Sequence, residues 1–156
     1  MGTQNRRFGP VRTLDDSFEN RRLALQDELD ARKTIEERRR LGQFATPTLL
    51  ARDIVSFGIE NMAMPRGIKF FDPAFGTGAF YSALLAEASA EDIAMATSIE
   101  IDPLFAKATR DFWHDYNINI INADFTNIEP DGNYNLVICN PPMFAIILLM
   151  PTVRFE

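Results

Sequence analysis

Phe70-Phe71-Asp72-Pro73-Ala74-Phe75-Gly76-Thr77-Gly78-Ala79-Phe80 reads as an apolar strand that ends on an acid, passes through a glycine turn and opens a helix. Gly76 and Gly78 can adopt backbone angles closed to other residues and let a ligand come close to the main chain. In open α/β sheets, ligands bind at the carboxyl ends of the strands, which is where this turn falls. An ordinary strand-to-helix turn is the plain alternative, and the surrounding sequence decides against it.

Apolar runs of strand length lie at 68–71, 93–101, 118–121 and 136–139, and helix-like stretches at 47–61, 78–90 and 103–116. Strands alternating with helices of this length predict βαβ units and a parallel sheet. Pro47 and Pro103 stand at helix starts, where a missing N–H costs little. Glu129-Pro130-Asp131 and Gly132-Asn133 mark the turn before the last strand.

Upstream, the spacing predicts one long charged helix from Ser17 to Arg40, with Ser17 as its N-cap. Its apolar stripe of Phe18, Leu23, Leu25, Leu29 and Ile35 is thin, so its charges read as a solvated face. Downstream, Met143 to Met150 are eight consecutive apolar residues. A four-strand sheet ending there exposes an edge, so self-association through that edge is expected. The chain divides into a charged helical extension (1–40), an α/β region (41–142) and an apolar tail (143–156).

A length of 156 residues is enough for about one domain, and 46% apolar content excludes wholesale disorder. No stretch approaches the roughly 20 apolar residues of a membrane span, and Met1 to Arg7 lack the apolar core of a secretory signal. Cys139 alone forms no internal disulfide, and with only His114 it builds no zinc site. The expectation is a cytoplasmic protein with no structural metal. Residues 1–40 carry ten Lys/Arg and eight Asp/Glu, a balance of +2, while residues 41–156 carry six and fourteen, a balance of −8. An acidic body grips nucleic acid poorly, because phosphate contacts need cations.

The ligand class follows from what is missing as well as what is present. A dinucleotide fingerprint needs a third glycine where Tyr81 stands. Asp72 would repel a pyrophosphate but suits an ammonium group. Glu100 closes the second strand 22 residues after Gly78, where a carboxylate accepts from ribose hydroxyls. Asp124-Phe125 follows the third strand, an acceptor for an exocyclic amine beside a ring that stacks on a purine. Ammonium, ribose and adenine recognition at successive strand ends describes S-adenosylmethionine better than NAD. Asp102 reads as a solvated helix-start charge, Trp113 and His114 as packing residues, and Cys139 as core.

The fourth strand runs into Asn140-Pro141-Pro142. Pro142 holds Pro141 extended and neither ring nitrogen donates, so the Pro141 carbonyl and the Asn140 amide are free to face a ligand. Two acceptors on one amino group hold its hydrogens and keep its lone pair available.

With these residues in this order, residues 38–142 resemble the gamma-class DNA adenine-N6 methyltransferases. Leu41-Gly42-Gln43-Phe44-Ala45-Thr46-Pro47 is similar to that family's leading motif, 72–78 to its main cofactor loop, and 98–103 to its ribose motif. Asn122-Ala123-Asp124-Phe125 is similar to its adenine motif, and Asn140-Pro141-Pro142 to three residues of its catalytic tetrapeptide. The resemblance implies the first four strands of a seven-stranded, Rossmann-like S-adenosylmethionine-dependent methyltransferase sheet. It implies cofactor contacts from Phe44, Thr46, Asp72, Pro73, Ala74, Gly76, Gly78, Glu100, Ile101, Asp124, Phe125 and Asn140. It also implies that Asn140, Pro141 and Pro142 serve the target adenine, in a restriction–modification setting.

Met143 departs from the family, which places an aromatic residue there to stack on the flipped base. Met143-Phe144-Ala145-Ile146-Ile147 can be encoded by bases that, shifted by one, spell Tyr-Val-Arg-His-His, much like the family's continuation. The hypothesis that residues 143–156 are a frameshifted tail falls if resequencing finds no one-base difference from a longer relative. Double-stranded DNA is the implied partner, held through a C-terminal region this sequence does not contain, so the chain alone is expected not to methylate DNA. Two readings stand beside this one: a protein glutamine-N5 methyltransferase, which also uses Asn-Pro-Pro before an aromatic, and a non-enzymatic remnant or interaction module. The Gln43–Pro47 segment favours the DNA enzyme.

Overall fold

Four short strands form one parallel sheet: β1 (Ile68–Asp72), β2 (Ile93–Glu100), β3 (Asn119–Asn122) and β4 (Leu136–Val137). The structure is a computed structural model that describes residues 16–63, 66–129 and 132–141. The strand order is β3-β2-β1-β4. The chain therefore moves outward from β1 to β3, then returns to the other side of β1. That reversal places the topological switch between β1 and β4, with the glycine turn at the end of β1.

Parallel neighbours require crossovers, and the sequence supplies them as helices. The crossover helix after β1 is Ala79–Glu87, and the one after β2 is Pro103–Phe112. In chain order the helices are α1 (Asp16–Ala31), α2 (Ile35–Leu41), α3 (Thr48–Glu60), α4 (Ala79–Glu87) and α5 (Pro103–Phe112). Residues Phe80 to Leu84 of α4 are all buried, so this helix is enclosed by the core. On α5, Phe105, Ala106 and Thr109 face inward while Lys107 and Asp111 pair on the surface. β2 is buried continuously from Ala96 to Glu100, as expected of a strand covered on both faces.

The charged N-terminal helix is present, but in two pieces. The expected single helix from Ser17 to Arg40 breaks after Ala31, and Ser17 lies inside α1 instead of capping it. Thr34 starts α2 with a capping box: the Glu37 N–H donates to Thr34 Oγ1 at 3.2 Å, and the Thr34 N–H donates to Glu37 Oε2 at 2.8 Å. Each bond satisfies a donor that the helix start leaves orphaned. Thr34→Ala should cost about 1 kcal/mol, read as an earlier urea midpoint; an unchanged midpoint would show that the break does not depend on this cap.

α1 is also less solvated than its charge predicts. Phe18, Arg22, Gln26 and Leu29 recur at helical spacing and are buried, whereas Leu23 and Ile35 of the expected stripe are exposed. The Phe18 ring lies 5.0 Å from Phe112 and 5.1 Å from both Trp113 and Tyr116, centroid to centroid. This aromatic cluster docks α1 on the end of α5. Trp113 is core as expected, but His114 and Cys139 are both exposed. Among the described residues, no helix is long and apolar enough to cross a membrane. Pro130, Asp131, Pro142 and the whole 143–156 tail lie outside the described residues.

Candidate cofactor site

The carboxyl ends of the strands open into one cavity of about 490 Å³. Its floor is the loop from Pro73 to Thr77, which the backbone holds by a short set of bonds. The Phe75 N–H donates to the Ile99 carbonyl at 2.9 Å, and the Gly78 N–H to the Phe75 carbonyl at 2.9 Å. The Gly76 N–H donates to Glu100 Oε2 at 2.8 Å, which ties the end of β2 to the turn after β1.

The two glycines do different work. Both have positive φ, 56° at Gly76 and 86° at Gly78. A Cβ at Gly76 would meet nothing within 4 Å, and Gly76 lines the cavity. A Cβ at Gly78 would lie 2.6 Å from Phe75 Cζ and 2.8 Å from Trp113 Nε1. Gly78 does not line the cavity; it permits close packing where α4 begins.

Glu100 lines the cavity with 6% of its surface exposed, and its second oxygen accepts the Asp102 N–H at 2.9 Å. Burial pushes its carboxyl above the usual range, with the neighbouring Asp102 charge adding to the rise. Asp102 caps α5 by accepting the Leu104 N–H at 2.9 Å. It is a helix-start residue as expected, but buried, not solvated. Its other oxygen accepts from Gln43 Nε2 at 2.9 Å and from Lys33 Nζ, which clasps the α1–α2 linker to the end of β2. Burial acts to raise the Asp102 carboxyl, but the bonds from Lys33, Gln43 and Leu104 outweigh it and hold the group below its usual range.

Asp124 and Phe125 line the cavity beyond β3. Asp124 Oδ1 accepts the Thr126 hydroxyl at 2.7 Å and the Thr126 N–H at 3.0 Å, and these bonds hold its carboxyl low. Phe44 and Ile101 present exposed apolar surface to the same space. Asn140, beyond β4, lines it too, and its Nδ2 donates to the buried Thr46 Oγ1 at 3.3 Å. Thr46 thus joins the leading segment to the end of the last strand.

Besides Gly78, two further expected positions sit elsewhere. Asp72 is completely buried and does not line the cavity. Its Oδ1 accepts the Ala74 N–H at 3.0 Å, and its Oδ2 has no partner among the described residues. Burial pushes the carboxyl up to about 7, aided by the Glu100 charge and opposed by the Ala74 bond. Asp72 shapes the loop from beneath. Pro141 is half-buried and does not line the cavity, and Pro142 falls outside the described residues.

The N-terminal segment contributes residues that the sequence reading did not assign to the cofactor: Arg22, Gln26, Arg40 and Gln43 all line the cavity. The signal was available for Arg22 and Gln26. They lie in register with Phe18 and Leu29, so a polar pair shares the apolar face of α1.

A four-stranded parallel sheet in this order, with a glycine turn at the switch point, is Rossmann-like and matches a methyltransferase fold. A solved structure from Pyrococcus horikoshii, described as an RNA methyltransferase, matches 79% of this chain and 60% of its own with a TM-score of 0.52. At 20% identity that likeness is one of fold. In sequence, the chain is 29% identical over 112 residues to the type II methyltransferase M.AccI of Acinetobacter calcoaceticus. The match covers 71% of this chain and 20% of that protein, so the chain spans about a fifth of the relative's length. No protein-family model matches the sequence. Both likenesses are to methyltransferases.

Proposed function

We propose that this chain forms the cofactor-binding part of an S-adenosylmethionine-dependent methyltransferase that acts on adenine N6 in DNA. One observation carries the reading: a single cavity gathers Phe44, Gly76, Glu100, Asp124-Phe125 and Asn140 from five separate segments. Its volume, about 490 Å³, suits a nucleoside with an amino-acid tail. Gly76 leaves open space on the floor, Glu100 and Asp124 offer acceptors, and Phe125 offers a ring face.

When bound, S-adenosylmethionine supplies an electrophilic methyl group. The chain's own part is to orient both reactants. Glu100 accepts from ribose hydroxyls, and Asp124 with Phe125 receives the cofactor's adenine. The side-chain carbonyl of Asn140 and the backbone carbonyl of Pro141 accept the hydrogens of the target amine, leaving its lone pair directed at the methyl carbon. The Asn140 Nδ2 bond to Thr46 orients the amide so that its oxygen is the free end. The similarity to a type II methyltransferase supports DNA as the substrate over the amide of a protein glutamine.

Calorimetric titration with S-adenosylhomocysteine tests the cofactor half. Saturable binding is expected, weakened at least about tenfold in Glu100→Ala through loss of a charged acceptor. A folded chain that binds nothing would overturn the proposal. The acceptor is tested by a bisubstrate probe joining the cofactor's amino-acid tail to adenosine N6. It should bind at least about tenfold tighter than the same probe built on a glutamine amide; the reverse order would favour a protein substrate.

A further inference from the structure

We propose that Arg22, from the N-terminal helix, receives the α-carboxylate of the cofactor's amino-acid end. This assignment rests on the cofactor reading above.

Among the described residues, the cavity has two lining cations, Arg22 and Arg40. Arg40 is exposed in the last turn of α2. Arg22 is 1% exposed, lying where α1 meets the glycine loop. A guanidinium taken that far from water needs a reason, because burying charge is costly unless it is paired and hydrogen-bonded.

Part of the reason is internal. Arg22 Nε donates to Glu19 Oε2 at 2.9 Å and Nη2 to Glu19 Oε1 at 2.5 Å, a bidentate fork. Glu19 also accepts the Thr48 and Ser82 hydroxyls, each at 2.6 Å, so its charge is shared among three partners. The fork fixes the plane of the guanidinium and turns Nη1 toward the loop, where it donates to Thr77 Oγ1 at 2.9 Å. Thr77 in turn donates to Gln26 Oε1 at 2.7 Å. Nη1 carries two N–H groups, and the second has no acceptor among the described residues.

The charge layout sets the direction of the ligand. Glu100 and Asp124 stand at the β2 and β3 end of the cavity and suit hydroxyl and amine donors. The adenosine end belongs there, so the amino-acid end falls toward α1 and Thr77. The remaining Arg22 N–H, fixed in a dry site, is the donor that a carboxylate needs at that end.

The test compares S-adenosylhomocysteine with its decarboxylated analogue, which keeps the adenosine, thioether and amine, on the whole chain. The wild type should bind the carboxylate form at least about tenfold tighter. In Arg22→Met that ratio should fall toward one, and affinity for 5′-methylthioadenosine, which lacks the amino-acid end, should fall by far less than affinity for S-adenosylhomocysteine. An unchanged ratio in the folded variant would overturn the assignment. Should Arg22→Met fail to fold, the wild type answers alone: the guanidinium N–H resonances of Arg22 should shift with S-adenosylhomocysteine and not with the analogue. Equal shifts, or equal affinities of the wild type for the two ligands, would refute it. If the folded wild type binds none of the three ligands, it is the cofactor reading that fails.

Discussion

Gly78→Ala should leave little folded protein, while Gly76→Ala, two residues away, should fold almost as well as the wild type. Both positions have positive φ, 56° and 86°, so each added methyl group carries a backbone penalty of about 1 kcal/mol or more. At Gly76 the penalty ends there, since the new Cβ meets nothing within 4 Å. At Gly78 the Cβ arrives 2.6 Å from Phe75 Cζ and 2.8 Å from Trp113 Nε1. Neither ring can yield easily. Trp113 is 1% exposed, with Phe18, Tyr81 and Tyr116 at 5.1–5.2 Å. Its Nε1–H donates to the Thr77 carbonyl at 3.1 Å, and moving the indole breaks that buried bond. Overpacking and a lost buried hydrogen bond add about 1–3 kcal/mol each. The total approaches about 5 kcal/mol, the whole stability of a marginal domain. Urea unfolding of the two variants checks this. If Gly78→Ala unfolds within about 1 kcal/mol of Gly76→Ala, the packing argument is wrong. Gly76→Ala should instead show its defect in ligand binding, because its methyl group projects into open cavity.

Asp72→Asn should stabilise the chain at pH 8 and cost it about 1–3 kcal/mol near pH 4. The native carboxyl, pushed up to about 7 from an ordinary 3.8, keeps its proton where the unfolded chain has released it. Between those values the native state binds more protons, so its stability falls as pH rises from about 4 to about 7 and is level above that. Asparagine mimics the protonated acid and escapes the fall. The gross gain, set by the rise from 3.8 to about 7, is about 4 kcal/mol. Against it stand the new amide N–H groups, directed where Asp72 Oδ2 has no partner among the described residues, at about 1–3 kcal/mol. A net gain on the order of 1–3 kcal/mol is expected above pH 7. Glu100 titrates nearby, so the informative quantity is the difference between variant and wild type, measured by thermal melts across pH 4–8. A difference that does not change with pH would remove the buried-charge account of Asp72.

The sheet was legible because its strands are short, predominantly apolar runs spaced by helix-length stretches, two of which open at Pro47 and Pro103. Carboxylates at the ends of β2 and β3 were legible for the same reason: a strand end is a fixed address. What escaped was set by contacts between distant segments. Asp102 reads as a surface charge until Lys33 and Gln43, from 69 and 59 residues away, cover it. Gly76 and Gly78 look equivalent until Trp113 fills the space beside one of them. Asp72 sits beneath the loop and not on the cavity wall, because its register against Ser98 fixes its depth but not the path of the loop above it. The break between α1 and α2 was within reach, since Thr34-Ile35-Glu36-Glu37 is a capping-box pattern inside a run of charge that concealed it.

The clasp of Lys33 and Gln43 on Asp102 has a thermodynamic corollary. Whatever settles in the cavity touches both the α/β sheet and the segment folded over it, so ligand binding and the docking of α1 and α2 must favour each other by the same free energy. The N-terminal segment is then a reporter as well as a wall. Its amide protons should exchange more slowly as the cavity fills, and a variant that loosens the clasp should weaken the ligand by as much as the ligand had tightened the clasp.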